Sequence, residues 1–376
     1  MTHIPSRLTF AILAGAATAA MLSGCAATSA SPSPTRTTQP VPSASVTSAP
    51  AVAVAPQGDP VEVTTGLVTP WSIAFDGATA LISERNTANI LEVAGDTTRV
   101  VGTIPGVVQQ GESGLLGIAV DDQRRLYVYS TGGDGNRIQR FPLTGVAGAL
   151  ALGDGETILD GIPAASYHDG GRIAFGPDGM LYATTGDAGQ RNAAQDRQSL
   201  GGKILRMTPD GGVPADNPFP DSLTYSYGHR NPQGIAWAED GTLFAAEFGQ
   251  DTWDELNIIT PGGNYGWPTV EGIAGNGDFI EPVQQWNPDD ASPSGIAIAG
   301  GSVFIANLRG QTLRAVPVAD PSTSTDYYSG TYGRIRHVTQ AADGQLWFLT
   351  SNTDGYGSGP RDGDDRLLSV PLTTQP

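Results

Sequence analysis

Of the histidines beyond residue 50, His168 is the best placed to move a proton. It lies in Ser166-Tyr167-His168-Asp169-Gly170-Gly171-Arg172, a loop leading into an apolar strand pattern, whereas His337 falls inside such a pattern. A neutral imidazole in a loop is suited to accept a proton near neutral pH. With no visible partner, it reads on its own as an ordinary surface residue. A working base also needs a carboxylate on its second ring nitrogen to fix the tautomer. Asp187, in Thr184-Thr185-Gly186-Asp187-Ala188-Gly189 at the end of the next apolar strand, is the candidate, although Gly-Asp-x-Gly segments also serve as turns.

Anion chemistry falls to arginine. Lysine occurs once, at Lys203, so nearly every positive charge is a guanidinium. Arg230 and Asn231 are presented beside Pro232, whose ring fixes the local path, and a loop of this kind can hold an arginine at an anion. Arg334 and Arg336 alternate at a strand start and would point to one side. Each of these arginines, taken alone, also reads as a solvated surface group.

These residues must be positioned by a repeated β unit. Copies open near Ile73-Ala74-Phe75, Leu116-Gly117-Ile118, Arg172-Ile173-Ala174, Gly234-Ile235-Ala236, Gly295-Ile296-Ala297 and Ile335-Arg336-His337. The spacing of about 40 to 60 residues is that of blades carrying loop insertions. Within a unit, Gly176-Pro177-Asp178-Gly179 and Glu239-Asp240-Gly241 precede further apolar runs, a hairpin signal. Fifty glycines and twenty-eight prolines, with no sustained helical periodicity after the leader, suit a turn-rich all-β chain. The expectation is a six-bladed β-propeller; a β-sandwich would not require a near-repeating unit. Loops at a propeller mouth bring residues distant in sequence together.

Between Tyr227 and Pro268 stand Gly-His-Arg-Asn-Pro-Gln-Gly, Trp-Asp-Glu-Leu-Asn and Gly-Gly-Asn-Tyr-Gly-Trp-Pro. From about Pro60 to Leu372 the chain resembles the soluble glucose dehydrogenase and aldose sugar dehydrogenase family, which binds pyrroloquinoline quinone (PQQ) on a six-bladed propeller. The resemblance implies oxidation of an aldose at C1 to an aldonolactone, with hydride passing to C5 of the quinone and electrons going on to an external acceptor. It puts the catalytic base at His168 and its partner at Asp187, and it places Arg230 and Asn231 beside the quinone, with Arg230 stabilising the reduced oxygen. Arg334 and Arg336 match cofactor-carboxylate arginines. Arg309 stands where the glucose-specific branch has a lysine. Glu112 replaces a glutamine of that branch and is kept as a pocket residue without a role. Calcium is implied twice: the carbonyls of Gly249 and Gln250 match the cofactor ion's ligands, and Glu255 and Tyr265 match a structural site. The aromatic residue expected over the sugar is displaced in register at Trp286, which implies a more open site and broad aldose specificity.

A short leader precedes the repeats. Arg7, the apolar run Leu8 to Met21, and Leu22-Ser23-Gly24-Cys25 read as an export signal with a lipobox, Cys25 being the lipidation site and the only cysteine. The expected organisation is a signal over 1–24, a Ser/Thr/Pro-rich tether over 25–57 and the propeller over 58–376, held by lipid on the outer face of the cell membrane. A net charge of −18 argues against nucleic-acid binding. No Cys-x-x-Cys-His haem signature exists to identify the acceptor. A calcium-dependent lactone hydrolase and a non-catalytic binding propeller are the competing readings.

Overall fold

Each apolar run that opens a repeat is the innermost strand of an antiparallel blade. The computed structural model describes residues 51–275, 277–357 and 359–375. The innermost strands are Pro70–Asp76, Leu115–Val120, Ile173–Phe175, Asn231–Trp237, Pro293–Ala299 and Ile335–Gln340, one for each expected repeat. They contact one another in sequence order, and the last returns to the first, closing the six-bladed ring. Among the described residues there is no α-helix, only a 3-10 turn at Arg191–Ala194.

The near-continuous apolar composition of the inner strands follows from packing on both faces. Six clusters of buried side chains fill the six interfaces between neighbouring blades. Leu81, Ile90, Leu115 and Val128, for example, join the first two blades. The hairpin aspartates cap their own turns: Asp178 Oδ1 accepts the Met180 amide at 3.0 Å and Asp240 Oδ1 the Thr242 amide at 2.9 Å. A fourth, outer strand in each blade was not expected. Thr97–Thr103 is half-buried to exposed apart from Val101, and Thr325–Tyr327 is short and mostly exposed, so both carry little apolar pattern.

Closure uses both ends of the domain. Val61–Thr64 supplies the outer strand of the blade formed by Ile335–Gln340, Leu346–Thr350 and Leu367–Val370. Beyond it, Val54–Pro56 pairs with Leu372–Thr374, and Val54 packs against the last two blades. The boundary expected after residue 57 is therefore too late: Val54 contributes apolar contact as well as ladder hydrogen bonds, which a solvated tether would not. The expected signal, most of the tether and Cys25 lie outside the described residues.

Five of the six innermost strands carry a register shift near the channel mouth, as at Pro232/Gly234, Pro293/Ile296 and Ile335/His337. A bulge re-aims the side chain it carries. Gln233, Ser294 and Arg336 sit at three of these shifts and meet one another: Arg336 Nη1 donates to Gln233 Oε1 at 3.0 Å, and Ser294 Oγ donates to the same oxygen at 3.0 Å.

Candidate active site

Loops from all six blades surround a cavity of about 370 Å³. His168, Glu112, Arg230, Asn231, Gly249, Gln250, Arg309, Arg334 and Arg336 all line it, so nine of the residues singled out from the sequence converge.

The loop before Ile173–Phe175 holds His168 in a left-handed conformation (φ 62°) that a non-glycine residue adopts only under local constraint. Three contacts supply that constraint. Glu112 Oε2 accepts the His168 amide at 3.0 Å, and the His168 carbonyl accepts the Ala188 amide at 3.2 Å. Gly186 passes so close that an added Cβ would lie 1.8 Å from that carbonyl oxygen. His168 Nδ1 then lies 2.7 Å from Asp187 Oδ1. Asp187 is fully buried, and its other oxygen accepts the Trp267 indole N–H at 2.8 Å. Burial works to raise the Asp187 pKa. The hydrogen bonds from His168, the Gly189 amide and Trp267 outweigh it and hold the carboxyl below its usual range. With an ionised acceptor on Nδ1, the imidazole carries its proton there and leaves Nε2 free as the basic nitrogen.

Glu112, left without a role in the sequence, is thus a support for the His168 backbone. Asn231 acts similarly: its Oδ1 accepts the Gly170 amide at 3.0 Å. Arg230 is fixed at both ends. Its amide donates to Glu247, which also meets His229 Nδ1 at 2.8 Å, and its Nη1 donates to the Phe248 carbonyl at 3.2 Å. The guanidinium is mostly buried and its Nε has no hydrogen-bond partner among the described residues. Burial lowers its pKa, opposed by Asp187 and Glu247.

Arg334 and Arg336 do share a side, because both reach one carboxylate. Asp354 Oδ2 lies 2.9 Å from Arg334 Nη2 and 3.4 Å from Arg336 Nη2. Burial alone would raise the Asp354 pKa, but the two guanidinium groups hold it down. A third guanidinium, Arg85, is buried beside them and donates to the Asp354 carbonyl at 3.2 Å. Burial pushes Arg336 down to about 10, and its Nε also lacks a hydrogen-bond partner among the described residues. Two buried arginines and a half-buried third against one aspartate leave this wall positive, which suits an anionic guest. Arg309 differs: it is exposed at the rim and paired with Asp289 at 2.6 Å.

The expected calcium residues divide. Gly249 and Gln250 line the cavity; Glu255 and Tyr265 do not. Among the described residues no cluster of three or more His, Cys, Asp and Glu side chains is arranged as a metal centre, so carbonyls must carry much of any divalent site. Glu255 is buried on the strand Asp254–Ile259, opposite Glu247. It accepts the Gly272 amide at 2.7 Å and the Asn257 amide group at 3.0 Å. Burial, reinforced by Glu247, pushes its pKa up to about 8. A buried carboxylate pair short of positive charge is what a cation relieves.

This shift has a pH signature. The folded state keeps a proton on Glu255 that the unfolded chain releases above its ordinary pKa of 4.5. The associated stability is complete below pH 4.5 and is lost as the pH rises through 8. In chelator-treated protein, the denaturation midpoint is expected to fall between those two pH values, and Glu255→Gln to flatten the fall. A slope unchanged by the substitution would contradict the assignment.

Trp286 lies on an outer strand, Gln284–Trp286, with the Arg314 guanidinium 4.6 Å from its ring, and it takes no part in the cavity. The exposed aromatic residue that does line the cavity is Tyr356, from the last blade. Arg85, Asp354 and Tyr356 carried no sequence signal that set them apart from turn and strand residues; Trp267 stands in a motif, but its role on Asp187 was not legible there.

The sequence profile of the glucose/sorbosone dehydrogenase family matches residues 67–357. The PQQ-bound form of aldose sugar dehydrogenase from Streptomyces coelicolor superposes with a TM-score of 0.82 at 47% identity, covering 86% of this chain and all of that one. Aldose sugar dehydrogenase of Escherichia coli (strain K12) is 31% identical over 329 residues, 76% of this chain and 88% of that protein. Quinoprotein glucose dehydrogenase B of Acinetobacter calcoaceticus is 30% identical over 264 residues, covering 58% of this chain and 55% of that protein. With a closed six-bladed ring, a half-buried histidine on a buried aspartate in the same cavity as an arginine wall, and a profile match over most of the domain, the chain belongs to the glucose/sorbosone dehydrogenase family.

Proposed function

We propose that the chain is a PQQ-dependent dehydrogenase that oxidises aldoses at C1 to aldonolactones and passes the electrons to an external acceptor. The observation that carries this reading is one cavity holding both an oriented imidazole, His168 on Asp187, and a wall of guanidinium groups short of anions. The PQQ-bound relative supports the choice of cofactor.

Arg85, Arg334 and Arg336 would hold the carboxylates of the quinone, with Arg230 and Asn231 at its edge and the Gly249 and Gln250 carbonyls toward a calcium ion. When bound, the quinone supplies the two-electron acceptor that takes hydride from C1. The chain's own part is proton movement and placement. His168 Nε2 takes the C1 hydroxyl proton as the C1–H bond breaks and its electron pair leaves with the hydrogen as hydride, so the C1–O bond of the cyclic sugar becomes the lactone carbonyl with no net charge left on the sugar. Asp187 stabilises the imidazolium that forms, and Trp267 keeps Asp187 in line. Buried guanidiniums, shielded from bulk water, stabilise negative charge more than they would in water. With Trp286 outside the cavity, the mouth is open to aldoses of different size.

The test is product analysis with protein, quinone, calcium and a dye acceptor. Aldonolactone formation slowed by deuterium at C1 supports the reading; lactone consumption without quinone would replace it with hydrolysis. A subtler expectation concerns Trp267→Phe, which keeps an aromatic ring but removes the N–H to Asp187. Hydrogen bonds to charged groups contribute about 1.5–3 kcal/mol, so kcat is expected to fall about 10- to 100-fold with quinone affinity unchanged. A lower melting temperature with normal kcat would mean that the indole only packs.

A further inference from the structure

The loop Gly249-Gln250-Asp251-Thr252-Trp253 has an unusual arrangement of peptide groups. Four successive amides, those of Gln250, Asp251, Thr252 and Trp253, donate to a single oxygen, Glu271 Oε1, at 2.7, 3.1, 2.9 and 3.0 Å. The preceding amide, of Gly249, turns instead to Asp254 Oδ1 at 2.8 Å. Convergent main-chain N–H groups form a concavity that demands an anion, and here the chain fills it with its own carboxylate.

A consequence follows from peptide geometry. These bonds are trans, so each N–H points opposite to the carbonyl of the residue before it. With the Gln250 and Asp251 amides aimed at Glu271, the Gly249 and Gln250 carbonyl oxygens face away from it, and both residues line the cavity. Neither oxygen accepts a hydrogen bond from the described residues. The loop has little freedom to turn otherwise: a Cβ on Gly249 would lie 1.7 Å from the Trp253 carbonyl oxygen and 2.7 Å from Glu271 Oε1.

We propose that Glu271 is a positioning residue, whose carboxylate gathers the amides of this loop so that the Gly249 and Gln250 carbonyls present a hard-cation edge to the cavity. The inference rests on the quinone-and-calcium reading above and adds to it the group that sets the carbonyl direction. It also explains why an acidic side chain is tolerated near the pocket: its charge is consumed by four donors instead of facing the guest.

The test uses quinone-free protein and calcium alone, read by calorimetry and by the calcium-induced rise in melting temperature. Groups that orient metal ligands typically change affinity about 10- to 100-fold, so Glu271→Ala is expected to weaken calcium binding by that factor, and Glu271→Gln, which keeps an acceptor without the charge, by less. A purely structural role would lower the melting temperature of the calcium-free variants but leave their calcium affinity at the wild-type value, and that result overturns the inference. If Glu271→Ala does not fold, Glu271→Gln decides alone. Wild-type protein that binds no calcium but still reduces quinone with an aldose would refute the positioning role while the dehydrogenase reading stands; wild-type protein inert in both assays would remove both.

Discussion

Replacing His168 by Ala is expected to reduce aldose oxidation by about 10²- to 10⁴-fold, the range a positioned general base supplies, while leaving quinone affinity intact. The reason is geometric. His168 Nδ1 is committed to Asp187, so Nε2 is the nitrogen available to substrate, and that contact matters only as the C1 hydroxyl loses its proton. Loss of an interaction made in the transition state lowers kcat and kcat/KM together. Partial rescue of His168→Ala by added imidazole would identify the missing group as a base. A variant that keeps the wild-type rate would show that the proton leaves by another route and that the pair with Asp187 is only structural.

The second large effect is on binding. Arg336→Ala is expected to raise the dissociation constant for the quinone about 30-fold to several-thousand-fold, corresponding to the 2–5 kcal/mol typical of removing one partner from a buried, hydrogen-bonded charge contact. Arg336 is buried, it shares Asp354 with Arg334, and its Nε has no hydrogen-bond partner among the described residues. Titration of quinone into Arg336→Ala and into Arg309→Ala provides the comparison. Arg309 is exposed and already paired with Asp289, so its removal is expected to change little. Equal losses for the two variants would place the anionic guest at the rim instead of the floor.

The fold was legible because blades repeat. Six largely apolar runs recur, and each is an inner strand, since residues packed between two neighbouring blades are mostly apolar. What escaped was whatever lacked that constraint. Outer strands such as Thr325–Tyr327 face solvent. Val54–Pro56, in a segment of small residues, joins the fold by pairing with Leu372–Thr374, more than three hundred residues away in sequence.

The site divides in the same way. His168, Asp187, Arg230, Arg334 and Arg336 stand in motifs that carry the family resemblance, and the structure brings His168, the three arginines and the Asp187 partner to one place. Their supports were illegible. Asp354 and Glu271 belong to loops whose aspartates, glutamates and glycines look like any solvated turn, and their importance appears only when two guanidiniums meet one of them and four amides the other. Glu112 could be placed in the pocket from the sequence, but not against the His168 amide, because that contact joins two blades.

The most direct test is anaerobic. Purified protein is loaded with PQQ and calcium, an aldose is added without any acceptor, and the quinone absorption is followed alongside product. The expected result is loss of the quinone spectrum with one aldonolactone formed per bound quinone. Protein that takes up no quinone at any calcium concentration, or bound quinone that no aldose bleaches, would contradict the account.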